Sequence, residues 1–362
     1  MQRKIIFTIT NDPDFDQRMQ RICSSLHEAG YRVVLAGRKM REGAGNAPAY
    51  RVKRMRCIFH KGPLLYAEYH IRLFTWLLFQ PADILCAIDI DTILPVYFTS
   101  ILKGSKRVYD AHEYFSELKE VVTRPSIQRW WKRIEDFAIP RFPVGYTVGQ
   151  QIATVFKNQY GVDYSVIRNV PNKQENIIPA AKRRRAILYQ GAINEARGLE
   201  YLIPAMENID AELHIYGSGN FESACFALVN KLALHDKVKF FGMVAPTVLQ
   251  EITPCYLVGI NLVEPVGLNQ YYSLANKFFD YIHGAVPQVT MNFPEYALIN
   301  ENAQVAILLD DLQTGQIATA VNLLLHDVVL YEKLVENCAR LRDIYCWELE
   351  KNRLLEIYEK QC

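Results

Sequence analysis

Two successive α/β domains, each built on a parallel sheet, are predicted by three observations. Short β-branched strands alternate with helical patterns along the 362 residues. The alternation breaks once, at a stretch rich in Pro, Asn and charge, and then restarts. The chain is also longer than a single hydrophobic core usually supports.

The first strand is "KIIFTIT", apolar and β-branched. In "DQRMQRICSSLHEAG" the residues Met19, Ile22, Cys23 and Leu26 recur at i, i+3, i+4 and i+7, with Gly30 as the stop. "YRVVLAG" follows as a strand, and strand, helix, strand in about thirty residues reads as a βαβ unit with parallel strands. "DILCAI", "KRVYD", "VGYTVG" and "SVIRN" repeat the pattern to about residue 168. "NVPNKQENIIPAAKRRR" then reads as a linker. Beyond it come "AILYQG", a helix from "GLEYLI", "AELHIYG", a helix through "ACFALVNKLAL", "KVKFFG", "YLVGINL", a helix in "SLANKFFDYIHGAVPQV", and the strands "VPQV" and "VAILL". The tail from Tyr331 is one long helical pattern. The expected division is 1–168, 169–344 and a C-terminal helix, 345–362, packing back on the first domain.

Half of the residues are hydrophobic and the formal net charge is +2, which suits a folded enzyme and argues against a nucleic-acid-coating or disordered chain. The eight cysteines form no C-x-x-C pair and no zinc spacing with histidine, so small buried side chains in a reducing compartment are expected. The start "MQRKIIFTITNDPDFD" is too short in apolar residues for a signal peptide, and no run is long enough to span a bilayer. A cytoplasmic protein is the expectation.

In open parallel sheets, ligands bind beyond the carboxyl ends of the strands. Four such exits carry unusual residues. Asp110, His112 and Glu113 follow "RVY"; a hydrogen-bonded structural histidine is the competing reading there. Gly191, then Arg197 and Gly198, follow "AILYQ", placing a guanidinium beside helix-start amides in a way that suits phosphate. Gly217 and Gly219 follow "ELHIY" and permit close backbone approach. The fourth exit leads to "SLANKFFDYIHGAVPQV". At about 100° per residue, Ser273, Asn276, Lys277 and Asp280 share one arc while Leu274, Phe278, Tyr281 and Ile282 share the opposite one. A solvated helix with a Lys277–Asp280 pair competes with a functional face; the strand-exit position favours the latter.

Together, "LYQGAINEARGLEYL", "LHIYGSG", "VKFFGMV" and "SLANKFFDYIHGAVPQV" in the second half, with "VYDAHEYF" and "VIRNVPN" in the first, resemble the glycosyltransferases of GT-B architecture, and within them glycosyltransferase family 4. The variant with an N-K-x-x-E-Y segment before G-x-P is matched by Asn276, Lys277, Asp280, Tyr281, Ala285 and Pro287. The resemblance implies two Rossmann-like α/β domains facing across a cleft. It also implies transfer of a sugar from a UDP-, GDP- or ADP-linked donor to a glycan or lipid-linked acceptor, with retention of configuration, no metal and no cofactor. By that resemblance Arg197 holds the donor's diphosphate, with help from Lys277 and the helix-start amides near Leu274 and Ala275, beside Ser273 and Asn276. Asp280 matches the glutamate on the ribose hydroxyls, one methylene shorter, and the backbone at Gly242 and Met243 matches the base segment. Gly191 and Gly217 belong to the donor turns, and His112 matches the histidine at the reacting end of the donor sugar. On the acceptor side the candidates are Asp16, Arg18 and Glu113. Two departures stand out: Ala192 occupies the place where many members have a second arginine, and Tyr272 stands where an E-x7-E pair would put its first glutamate.

The pair Asp89 and Asp91 in "IDID" resembles the metal-binding D-x-D of another glycosyltransferase architecture, but ends a first-domain strand away from the expected donor residues. Arg129, Lys132 and Arg133 with Trp130 and Trp131 form a mixture that suits an anionic membrane surface; a solvated basic face with inward tryptophans is the alternative. A lipid-linked acceptor at the inner face of the cell membrane, in surface polysaccharide or glycolipid biosynthesis, fits both observations. Two other functions share the architecture: a nucleotide-sugar epimerase, and a non-catalytic nucleotide or carbohydrate binder.

Overall fold

The computed structural model describes residues 2–40, 48–174 and 178–361, so 175–177 of the expected linker and Cys362 lie outside the described residues. The chain forms two compact units, Met1–Asn169 with Glu350–Cys362, and Val170–Leu349.

The first unit carries β1 (Lys4–Thr8), β2 (Arg32–Arg38), β3 (Arg51–Met55), β4 (Ile84–Ile88), β5 (Lys106–Ala111), β6 (Gly145–Thr147) and β7 (Ser165–Val166). Their order is β3-β2-β1-β4-β5-β6-β7, with every pairing parallel. The helix Gln17–Glu28 buries Met19, Ile22, Cys23 and Leu26 completely, as their spacing predicts. β3, "RVKRM", is not among the strands read from the sequence; it is an edge strand whose charges discourage further pairing.

The second unit carries β8 (Arg184–Gln190), β9 (Glu212–Tyr216), β10 (Val238–Gly242), β11 (Tyr256–Asn261), β12 (Gln288–Met291) and β13 (Ala306–Leu309), in the order β10-β9-β8-β11-β12-β13 and again all parallel. Chain direction across this sheet reverses between β8 and β11, which opens a crevice beyond their carboxyl ends. The tail is not one helix but two, Val328–Leu341 and Trp347–Glu359. The second packs into the first unit, where the Tyr358 ring meets Phe7 and Tyr146 at centroid distances of 5.9 and 6.4 Å. Five of the cysteines are buried as expected, whereas Cys57 and Cys255 are partly exposed.

Candidate functional site

The second unit's strand exits interlock. β8 ends at Gln190, and Gly191 turns with φ 126° while its amide donates to the Tyr216 carbonyl at 2.9 Å. The Tyr189 hydroxyl donates to the Ala192 carbonyl at 2.8 Å and pins the turn. Farther along, Ala196 and Gly198 both take left-handed backbone, φ 62° and 76°. The Ala196 amide is held by Glu200 at 3.1 Å, and its carbonyl accepts from the Glu264 amide at 3.0 Å. A Cβ on Gly198 would lie 2.5 Å from the Leu262 Cβ, so only glycine lets the helix Leu199–Ala205 approach the exit of β11. Arg197 is thereby fixed between two constrained residues, half-buried, and no hydrogen bond or ion pair engages its guanidinium among the described residues.

Lys277 enters the same space from the helix Asn276–His283. Its Nζ lies 3.8 Å from the centre of the Tyr189 ring, shut off from solvent and with no hydrogen-bond partner. The nearest approach to Gly191 is similar: a Cβ built there would sit 3.6 Å from the Lys277 Cε. Burial first, and the Arg197 charge second, pull the Lys277 ammonium down to about 7, against the opposing pull of Asp280. Two basic side chains thus converge on the turn after β8, and no ion pair engages either among the described residues.

Asp280, one turn on from Lys277, accepts from Gln190 Nε2 at 2.9 Å. Gln190 is buried and in turn accepts from the Thr253 hydroxyl at 2.8 Å, which orients its amide. Alongside lies a pocket of roughly 240 Å³ lined by Gly191, Ala192, Tyr216, Gly217, Ser218, Met243, Val244 and Leu249. Its walls are largely apolar side chains and loop backbone from the exits of β8, β9 and β10. Gly242 turns the chain with φ 70°, and its carbonyl accepts from the Gly217 amide at 2.8 Å.

Three expectations change here. Gly217 lines the pocket, but what demands glycine is packing against protein backbone: a Cβ would meet the Gly191 carbonyl oxygen at 1.8 Å. The helix expected from Ser273 begins at Asn276, so Leu274 and Ala275 precede its first turn. The Ala275 amide is moreover occupied, donating to the Tyr296 hydroxyl at 3.0 Å, and the Ser273 hydroxyl donates to the Gln270 carbonyl at 2.8 Å. Sequence reasoning also passed over Tyr189, Gln190 and Thr253. The only local sign of them is Gln190, a polar residue closing an otherwise apolar strand.

The first unit holds the remaining candidates. Asp110 is completely buried at the end of β5 and accepts from Arg18 at 3.2 Å and from His112 Nε2 at 2.9 Å. Burial alone would raise the Asp110 carboxyl; His112 and Arg18 outweigh it and hold the group below its ordinary range. For His112 burial pulls downward, yet the Asp110 carboxylate prevails and raises the imidazole. Arg18 also donates to the Ile167 carbonyl at 2.9 Å and is buried, so its expected place facing an acceptor does not hold. Asp16 caps the helix Gln17–Glu28, accepting from the Met19 amide at 3.0 Å. Glu113 is exposed. In "IDID" the Asp89 carboxylate accepts from the amides of His112 and Glu113 at 2.8 and 3.2 Å, and Asp91 accepts from the Thr10 hydroxyl. Both therefore organise the β4 and β5 exits from within.

Comparison with known proteins agrees with this architecture. Residues 171–340 match the family described as Glycosyl transferases group 1. No curated protein matches the chain in sequence. Among solved structures, sucrose-phosphate synthase from Thermosynechococcus elongatus is similar at a TM-score of 0.82, 13% identity, and 99% coverage of both chains. Anabaena HepE in complex with UDP and glucose is similar at 0.76, 12% identity and 99% of both chains. WaaG, a glycosyltransferase involved in lipopolysaccharide biosynthesis, is similar at 0.73, 16% identity, with 98% of this chain and 99% of that one covered. The chain has the GT-B fold of two Rossmann-like α/β domains, and its residues 171–340 match the glycosyl transferases group 1 family.

Proposed function

We propose that the protein is a glycosyltransferase that takes a sugar from a nucleotide-sugar donor to a glycan or lipid-linked acceptor, with retention, in surface polysaccharide or glycolipid synthesis. The observation that carries the reading is the buried, unpartnered Lys277 Nζ beside Gly191, with the unengaged Arg197 sharing that turn. A cation held out of water with no partner is costly alone and becomes favourable when an anion arrives. A diphosphate suits this place because it brings charge for both cations at once. The apolar pocket beside Met243 and Val244 then seats the base, and Asp280 faces the ribose. HepE, a structural neighbour, is described with UDP and glucose, which supports the same donor class.

As the glycosidic bond breaks, negative charge grows on the leaving diphosphate. Arg197 and Lys277 stabilise that charge, and neither must reorganise to do so because the turn and helix already hold them. For His112, held through Nε2 by Asp110, we propose the role that the family resemblance implies, orienting or polarising the transferred sugar.

Calorimetric titration of UDP, GDP and ADP into the wild-type protein and Arg197→Ala tests the donor site. At least one nucleotide is expected to bind, and the variant to bind it about 10- to 100-fold more weakly, as for a lost charge-assisted hydrogen bond. Equal affinity in the two proteins would remove the assignment.

A further inference from the structure

At one strand exit of the first unit the backbone is strained where glycine would be at ease. β4 ends at Ile88, and the next residue, Asp89, has φ 56° and ψ 171°. That region of backbone space is occupied almost only by glycine, because a Cβ there crowds the adjoining peptides. Asp89 carries a Cβ all the same, so its side chain must do something that offsets the strain.

It acts through one oxygen. Asp89 Oδ1 accepts from the His112 amide at 2.8 Å and from the Glu113 amide at 3.2 Å, while the Asp89 amide donates to the Asp110 carbonyl at 2.9 Å. Two successive amides converging on one carboxylate oxygen fix both peptide planes. The chain on either side is anchored by other means. Before His112, Ala111 is buried at the end of β5 and lies in register with Thr147 of β6. Beyond Glu113, the Tyr114 hydroxyl donates to Gln159 Oε1 at 3.0 Å, and Ser116 Oγ donates to the buried Glu135 at 2.6 Å. Asp89 holds the turn between these anchors.

His112 is therefore fixed at two points. Asp89 takes its amide, and Asp110, itself gripped by Arg18 at 3.2 Å, accepts from its ring Nε2 at 2.9 Å. Beside the Asp110 carboxylate Nε2 carries the proton, so the neutral ring has its lone pair on Nδ1. No hydrogen bond engages Nδ1 among the described residues. Its aim is set jointly by the peptide plane and by Asp110.

We propose that Asp89 is the positioning residue of His112: its strained backbone is kept because its carboxylate sets the His112 peptide plane and so aims the imidazole. Strain beside a functional group, held in place by the surrounding structure, is a recurrent form of preorganisation, and relieving it costs function before it costs stability. The catalytic consequence rests on the role given to His112 above, whereas the positioning is a property of the unliganded protein.

Two variants separate these points. Asp89→Gly relieves the backbone and removes the oxygen; Asp89→Asn keeps an acceptor oxygen without the charge. Nitrogen NMR of the full chain with isotope-labelled histidine, at a pH where the imidazoles are neutral, reports the His112 tautomer, its signals being those missing from His112→Gln. Wild type and Asp89→Asn are expected to show one tautomer, protonated at Nε2. Asp89→Gly should show mixed or exchange-broadened signals, with thermal unfolding close to that of wild type. The second readout is nucleoside diphosphate release from UDP-glucose, GDP-mannose and ADP-glucose with water as acceptor. For the donor that wild type turns over, Asp89→Gly should lower kcat about 100-fold, the scale of a one-ångström misplacement. KM and nucleotide affinity should hold, the double variant with His112→Gln should fall no further, and Asp89→Asn should keep most of the rate. A wild-type tautomer in Asp89→Gly overturns the proposal. So does loss of the fold in that variant, which would assign the residue to stability, or unchanged turnover where His112→Gln is impaired. Should His112→Gln leave turnover intact, or no donor be turned over, the role of His112 falls and the NMR result alone decides the positioning.

Discussion

The strand exits of the two units treat charge in opposite ways. In the first unit Asp110 is buried between Arg18 and His112, and the neighbouring Asp89 accepts from backbone amides, so each charged group of the cluster has a partner within the protein. In the second unit Arg197 and Lys277 are held just as firmly, by left-handed turns and a packed helix, but no hydrogen bond or ion pair engages either among the described residues. Rigid placement is common to both; only the second leaves an electrostatic vacancy. What marks the candidate ligand site here is therefore positioned charge lacking a partner, more than the presence of charged residues at a strand exit.

The most damaging way to probe this difference is to remove the shared anion of the completed cluster. Asp110→Asn would leave Arg18 charged, buried and without its carboxylate, beside an imidazole that has lost its counter-charge. Breaking a buried pair from one side typically costs about 3 to 5 kcal/mol. Urea unfolding should show a loss of that order in the first unit, while nucleoside diphosphate affinity in the second stays at the wild-type value. A variant as stable as wild type would mean that the cluster is not self-satisfied, and the comparison would collapse.

Removing a cation from the vacant site should do the reverse. Lys277→Met keeps the apolar stem over Tyr189 and deletes the buried ammonium. Binding of nucleoside diphosphate should fall by about 10- to 100-fold while stability without ligand is kept or raised. The pH dependence carries the same sign. In the folded protein Lys277 titrates at about 7 rather than the ordinary 10.5, so between those values the unfolded chain binds more protons than the folded one. The unliganded wild type should therefore lose stability as pH falls from 10.5 toward 7, and Lys277→Met should lack that component. A bound diphosphate favours the charged amine, so binding above pH 7 should take up close to one proton, readable as a dependence of calorimetric heat on buffer ionisation enthalpy. Binding without proton uptake at pH 8.5 would show that no anion reaches Lys277.

Much of this was legible in the residues themselves. The alternation of strand and helix identifies both sheets, and Gly191, Arg197, Gly198, Lys277 and Asp280 reach the β8 and β11 side of one sheet because each stands just past a strand or on the helix that follows. What local pattern cannot show is a partner far away in sequence. Arg18 looks like a free cation after the first strand until Asp110 is folded against it, and the Ala275 amide looks open until Tyr296 reaches it. Gly217 looks like room for a ligand because the clash it avoids is with Gly191 on another strand. The basic "RVKRM" hides a strand for a related reason: an edge strand is charged to prevent pairing, and charge reads as loop.

The gentlest test adds to the vacancy instead of breaking it. Ala192 is exposed, lines the pocket, and has its carbonyl pinned by Tyr189, so a longer side chain there starts from a fixed point. Ala192→Arg would restore the cation found there in many glycosyltransferases that this sequence resembles. Because the position is open to water, the gain should be small, about 0.5 to 1 kcal/mol or two- to fivefold in nucleoside diphosphate affinity. It should also shrink as salt is raised, unlike the contribution of the enclosed Lys277. An affinity that does not rise, or a gain indifferent to salt, would place the diphosphate away from the turn after β8 and leave the Arg197 and Lys277 cations to some other anion.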